Sequence, residues 1–292
     1  MYQPYHVEKI NERVYNIHED IAGGHFHINI YLVLGSERAA LIDTGLGTGN
    51  LLAVVQSLTS LPVIVLHTHG HIDHVGADGQ FFVLYLNEKE RTFFEQSDEM
   101  AMGERRRETL VKLHVDDPDL PKEILKHCVP LRLQHYRDVE EGCLFDLGGV
   151  QLDTVATPGH SEGSVSFVDK KNHYAFTGDG IANIHWFDKT VDTTVESFLH
   201  MLQHFKESAP GVTTMYAAHP KKPFYMSLVN DLERGLSEIL EGSDDPMENA
   251  DFQFLKHGIL YVHRTGRVTI YYDPAHVWED FHPANEVAVS AL

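Results

Sequence analysis

His69, His71, Asp73 and His74 fall within six residues of one another, in the stretch Leu66-His67-Thr68-His69-Gly70-His71-Ile72-Asp73-His74-Val75-Gly76. Imidazole nitrogen and carboxylate oxygen are ligand types that bind zinc, iron or manganese. A cation held by them acidifies a bound water and makes it nucleophilic near neutral pH. The stretch follows the apolar run Pro62-Val63-Ile64-Val65-Leu66, which reads as a short buried strand. A loop leaving a strand can turn all four side chains toward one point. A straight strand cannot, because alternate side chains face opposite ways.

Four further landmarks stand in order around this stretch. Leu41-Ile42-Asp43-Thr44-Gly45 lies upstream, and Thr157-Pro158-Gly159-His160-Ser161, Phe176-Thr177-Gly178-Asp179-Gly180 and Ala217-Ala218-His219-Pro220 lie downstream. Any one of them is a weak signal. The five in order resemble the metallo-β-lactamase-fold superfamily of hydrolases, and the resemblance covers most of the chain.

That resemblance implies an α+β fold, a four-layer αβ/βα sandwich with its metal site along one edge of the sheets. It also implies two divalent metal ions. His69, His71 and His160 would hold the first, Asp73, His74 and His219 the second, and Asp179 would bridge them. Five neutral imidazoles and two carboxylates leave a formal excess of about two positive charges on such a pair, enough to lower the pKa of a bridging water from 15.7 toward roughly 7. Asp73, beside that water, is the candidate catalytic proton shuttle. Asp43 is the candidate acceptor orienting a ligand histidine, with a plain turn residue in Asp-Thr-Gly as the alternative. Zinc is the first choice of metal, with iron or manganese as alternatives, because nitrogen and oxygen ligands without a thiolate admit all three. Among the remaining histidines, His67, His114, His127, His135 and His263 read as ordinary polar residues.

The 292 residues, 42% hydrophobic and 23% charged, suit a soluble globular protein with a large core. The motifs run from Asp43 to His219 without a linker, so one domain over 1–292 is expected, with a helical insertion at about 87–140 and a C-terminal extension at about 248–292. A formal charge of −20 repels phosphodiester backbones and anionic membrane surfaces. It argues against the nucleic-acid-processing branches, and a small-molecule substrate is expected. No basic-then-apolar leader and no membrane-length apolar run is visible. Cys128 and Cys143 are too few for a disulfide framework, and a cytoplasmic location is expected. Oligomeric state is not legible.

Hydrophobic periodicity predicts strands at 14–17, 28–34, 39–42, 62–66, 82–86, 150–156, 165–168, 174–177 and 213–217, and a closing hairpin of 260–263 with 268–272. Helices are predicted at 50–59, at 194–207 behind a capping pair of Thr193 and Glu196, and at 227–241. Residues 87–140, charged and nearly free of glycine, read as helical, and the last dozen residues read as a tail.

For substrate contact the candidates are His25, Phe26 and His27 in the loop after Gly23-Gly24, and His185 and Trp186 after Asp179. A histidine-bearing surface loop and a core tryptophan are the plainer readings. Arg105, Arg106 and Arg107 form a charge run that either grips an anion or is a solvated helix face. Asp179 stands where cysteine-ligand β-lactamases carry Cys, and His71 where flavodiiron reductases carry Glu. The pattern looks most like glyoxalase-II-type thioesterases and acyl-homoserine-lactone lactonases, although the lactonases place a Tyr where this chain has Ala182. The expected function is hydrolysis of an ester, thioester or lactone. A mononuclear-iron sulfur dioxygenase and a non-catalytic metal-binding protein are the alternatives.

Overall fold

The computed structural model describes residues 4–21, 26–95, 99–113, 119–132, 134–187, 193–245, 247–249 and 260–279. Two sheets pack face to face through continuous apolar runs. The first takes its strands in chain order: β1 (Tyr5–Lys9), β2 (Val14–Ile21), β3 (Phe26–Leu34), β4 (Ala39–Ile42), β5 (Val63–Leu66), β6 (Leu84–Tyr85) and β7 (Tyr136–Arg137). β1 to β4 pair antiparallel, and β4 to β7 run parallel. β4 and the inner residues of β5 are apolar throughout because helices or a second sheet cover both of their faces.

The second sheet is built from β8 (Leu144–Asp146), β9 (Gln151–Ala156), β10 (Val165–Asp169), β11 (Tyr174–Gly178), β13 (Thr214–Ala217) and β14 (Phe224–Tyr225). Tyr31, Val33, Ile42 and Leu66 from the first sheet meet Val165, Phe167 and Phe176 from the second in the central core. The helix α1 (Leu51–Leu58), capped by Asn50, lays Leu51 and Val55 on the outer face of the first sheet. On the far face of the second, α6 (Val195–Ser208) and α7 (Met226–Leu240) bury Phe198, Leu202, Phe205, Leu232 and Leu236. These are the four layers that the landmarks imply.

A further sheet was not anticipated. β12 (Ile184–Phe187) pairs parallel with β17 (Val268–Tyr272), which pairs with β16 (Leu260–Thr265), and that strand with β15 (Met247–Asn249). It packs Val268, Ile270 and Phe187 into the core around α6 and α7. The expected hairpin is therefore the middle of a sheet, while the expected tail at 281–292 and much of 248–259 lie outside the described residues.

The insertion is helical: α3 (Glu88–Glu95), α4 (Glu99–Leu113) and α5 (Leu120–Leu125) follow the short α2 (Ile72–Val75). Its arginine run does not act as one unit. Arg106 is buried and donates to the carbonyls of Gly76, at 2.6 Å, and Val129, at 2.7 Å, while Arg107 pairs with Glu104. Two other expectations are corrected. Only Leu84 and Tyr85 of the 82–86 run pair as a strand, and Phe82 is 98% exposed. The cap of α6 is Thr194, whose side chain accepts from Ser197 N, not Thr193. No helix among the described residues is long and apolar enough to cross a membrane.

Candidate metal centre

The loops that leave the carboxyl ends of β4, β5, β9, β11 and β13 converge at one edge of the two packed sheets. β4 delivers Asp43, β5 the stretch from His69 to His74, β9 His160, β11 Asp179 and β13 His219. Backbone hydrogen bonds join the sheets there: Val165 N–H donates to the Thr68 carbonyl at 2.9 Å, and Asn29 N–H to that of Ala218 at 2.7 Å. The Asn29 side chain also donates to the carbonyls of Ala217 and Pro220, so β3 fixes the loop that carries His219.

The donor atoms of the seven candidate ligands fall into three overlapping groups: His69 with His71 and His160, His69 with His74 and Asp179, and Asp73 with His74 and His219. In each group all the donor atoms lie within 4.8 Å of one another. His71 Nδ1 is 3.1 Å from His69 Nε2 and 2.8 Å from His160 Nε2. Asp179 Oδ2 lies between the groups, 3.5 Å from His160 Nε2, 3.2 Å from His219 Nε2 and 3.6 Å from His74 Nε2. Asp73 Oδ2 is 3.6 Å from His219 Nε2 and 3.9 Å from His74 Nε2. Donors about 2.1 Å from a tetrahedral ion stand roughly 3.4 Å apart, which is this spacing.

One atom tests the fit directly. His74 Nε2 is buried and has no hydrogen-bond partner, while Nδ1 of the same ring donates to Asp43 at 2.8 Å. An unpartnered buried nitrogen is costly unless something accepts its lone pair, and two carboxylates and an imidazole face the same point. The residues present fit a pair of divalent cations.

Charge is graded across the site. Burial pushes His160 down to about 3, with His71 and His74 adding to the effect against the pull of Asp179. Burial also lowers His69 and His71, so these three rings stay neutral with lone pairs available. At the other end burial works against protonation of His74 and His219 but is outweighed, by Asp43, Asp73 and Asp179 for His74 and by Asp179 and Asp73 for His219. Burial would raise Asp179, yet His219 and His74 hold it well below the usual carboxylate range. A cation needs the lone pairs of these two rings, so its binding competes with protons there.

Asp43 supports this cluster from beneath. Its Oδ1 accepts from Thr68 N–H and its Oδ2 from Thr68 Oγ1 and His74 Nδ1, each at 2.8 Å. Burial would raise it, but His74 and His67 hold it at about 2. His67, which the sequence marks as an ordinary polar residue, is fully buried between two aspartates, 3.7 Å from Asp43 Oδ1 and 3.2 Å from Asp78 Oδ2. Neither contact is well directed as a hydrogen bond. Burial alone would lower His67, and the two carboxylates raise it instead to about 9. Thr44 and Tyr136 donate to Asp78 at 2.6 and 2.8 Å, which extends a buried polar network under the site.

A cavity of about 580 Å³ opens beside His160, Asp179 and His219. Its walls are mainly apolar, from Phe26, Ile184, Trp186, Phe187, Pro220 and Phe224, and Thr109 and Lys112 of α4 reach it from the insertion. The candidate contact residues separate here. Phe26 lines the cavity and lies 4.8 Å from the His219 ring, centroid to centroid. The His27 ring does not line it but stands edge-on to His18, and its carbonyl accepts from His219 Nδ1 at 3.2 Å. His25 lies outside the described residues. Trp186 is edge-on to His160 at 6.4 Å. His185 also lines the cavity, but its Nε2 is 3.0 Å from the Ala182 carbonyl and its ring packs on Phe198 at 4.5 Å; burial lowers it to about 4.

Residues 23–202 match the model of the metallo-beta-lactamase superfamily. The chain belongs to that superfamily. Among curated proteins it is similar to the acyl-coenzyme A thioesterase MBLAC2 of Gallus gallus, 29% identical over 61% of this chain and 66% of that one. It is likewise similar to the hydroxyacylglutathione hydrolase GloC of Haemophilus influenzae, 30% identical over 53% of this chain and 66% of that one. The chain thus spans just under two thirds of the length of these relatives. In fold it is similar to a metallo-beta-lactamase family protein from Thermus thermophilus, with a TM-score of 0.54 and 22% identity, over 82% of this chain and 85% of that one. Both curated relatives carry the names of hydrolytic enzymes.

Proposed function

We propose that residues 1–292 act as one catalytic unit, a dinuclear hydrolase that cleaves an ester or thioester joining an apolar acyl group to a small carrier. The observation that carries this reading is the meeting of seven donor side chains at the edge of an apolar cavity. His69, His71 and His160 would hold one cation and Asp73, His74 and His219 the other, with Asp179 shared. Zinc is the expected metal, and bound there a pair of divalent ions supplies an acidified water and polarises the scissile carbonyl.

The chain's own residues do the rest. Phe26, Ile184, Trp186 and Phe224 bind the acyl group and exclude water from the carbonyl. Asp73, at the start of α2 and partly exposed, would carry a proton to the departing oxygen or sulfur. Asp43 keeps His74 in the tautomer whose Nε2 faces the cluster. A thioester is favoured because the relatives include an acyl-coenzyme A thioesterase and a hydroxyacylglutathione hydrolase.

Metal analysis paired with a panel of thioesters, esters and lactones tests the proposal. Two metals per chain, with turnover of acyl thioesters that Asp73→Ala abolishes, is the expected result. One iron per chain with thiol-dependent oxygen uptake, or a two-metal protein inert toward all three bond types, would overturn it.

A further inference from the structure

Glu90, in the first turn of α3, is fully buried and has no ion-pair partner among the described residues. Its two oxygens take one backbone donor each. Gly70 N–H donates to Oε2 and Gly163 N–H donates to Oε1, both at 2.7 Å. Gly70 lies between His69 and His71 in the loop after β5. Gly163 lies three residues beyond His160 in the loop between β9 and β10. The two donors therefore belong to different sheets, and one carboxylate spans the seam between them.

Both positions are made for close approach. A Cβ on Gly70 would stand 3.1 Å from Glu90 atoms, and one on Gly163 would stand 2.8 Å from Glu90 Cγ and Oε1. Only glycine lets each backbone come this near. A buried carboxylate carries a large desolvation cost, which charge-assisted bonds to backbone N–H groups offset when the geometry is good. If the role were packing alone, an apolar side chain would fill the space without that cost.

We propose that Glu90 is a positioning residue, a clamp that sets the distance between the loop carrying His69 and His71 and the loop carrying His160. This rests on the two-metal reading above and extends it. The three nitrogens concerned lie 2.8 to 3.1 Å apart in pairs through His71, and they come from two loops whose His71 and His160 stand 89 positions apart in the chain. Glu90 also begins the insertion, so α3 is fastened to the metal loops directly.

The test compares Glu90→Gln with the wild type and with Glu88→Gln, an exposed control in the same helix. Gln keeps the volume but sets an NH2 group against one of two N–H donors. In the metal-free protein, amide exchange of Gly70 and Gly163 should accelerate together by about tenfold or more in Glu90→Gln and not in Glu88→Gln. In the cobalt-substituted protein, affinity should fall by about tenfold and the visible ligand-field spectrum should change, with kcat affected more than KM. If Glu90→Gln fails to fold, Glu90→Asp, which keeps the charge and shortens the reach by one methylene, is read in the same way. Retained protection of either amide, or an unaltered cobalt affinity and spectrum, overturns the proposal. An inactive wild-type enzyme would remove the hydrolase reading while leaving the exchange and cobalt measurements decisive for Glu90.

Discussion

Asp43 Oδ2 stands 2.8 Å from Nδ1 of His74, and Asp43 reaches that position in the left-handed region, at φ 62°. Such a backbone costs a non-glycine residue about 1–2 kcal/mol, less for Asn or Asp, whose short polar side chains bond locally. The strain turns one carboxylate toward Thr68 and His74 at once. Asp43→Asn keeps the backbone preference but loses the charge and one acceptor, so zinc affinity in a chelator competition should fall about 10- to 100-fold. Asp43→Ala removes the side chain and leaves the strain, and should fall further. Equal affinity in both variants and the wild type would show that His74 does not need Asp43.

Thr194, not Thr193, caps α6, accepting from Ser197 N at 3.1 Å, and the two neighbours make a clean comparison. Thr194→Ala should lower stability by about 1 kcal/mol in urea unfolding, while Thr193→Ala should stay within about 0.5 kcal/mol. The reverse order would restore the Thr193–Glu196 pairing that the sequence suggests. Glu196 instead accepts from the Glu279 backbone, a residue 83 positions away, and the local pattern holds no trace of that contact.

The same contrast runs through the molecule. Val63–Leu66, Ala39–Ile42 and the amphipathic faces of α6 and α7 are legible because periodicity reports burial on an element's own neighbours. The metal-capable residues are legible because their types are chemically distinctive and their order is fixed. β12 was not, since Ile184–Phe187 becomes a strand only when Val268–Tyr272 lies beside it. His67 and Glu90 were not, since nothing near them in sequence tells that Asp78 or Gly163 will meet them. Arg106 reads as part of a charge run and is in fact buried on two carbonyls.

Gly178 precedes Asp179 at φ 52°, and a Cβ there would lie 2.3 Å from Thr68 Oγ1 and 2.6 Å from Thr68 Cβ. Neither neighbour can yield, because Thr68 donates from both its backbone and its hydroxyl to Asp43. Gly178→Ala therefore combines left-handed strain with a contact that pushes the β11 loop off the β5 loop. A loss of about 2–4 kcal/mol in urea unfolding is expected, together with weaker metal binding as Asp179 shifts. Gly149, with φ 74° and open space around its Cβ position, gives the comparison: Gly149→Ala should cost only the backbone term, about 1 kcal/mol. Matching losses at the two sites would mean that Thr68 moves aside freely.

Cys128 offers a pH-dependent readout away from the metal loops. Burial pushes its thiol up to about 11, with nearby Glu19 adding to this and Arg106 partly opposing it. Below that value the thiolate is the minor form, so its share grows tenfold for each pH unit. At pH 8 about one molecule in a thousand would carry the thiolate, against roughly a quarter for a thiol of ordinary pKa near 8.5. Iodoacetamide should thus alkylate Cys128 on the order of a hundredfold more slowly than a small free thiol, and the rate should climb log-linearly from pH 7 to 10 without a plateau. Arg106→Gln removes the only cation that favours the thiolate among the groups acting on it, so the reaction should slow further and its rise should move to higher pH. A plateau near pH 8.5, followed by mass spectrometry of the Cys128 peptide, would mean that the segment around α5 opens to solvent before it reacts and that burial does not govern this thiol.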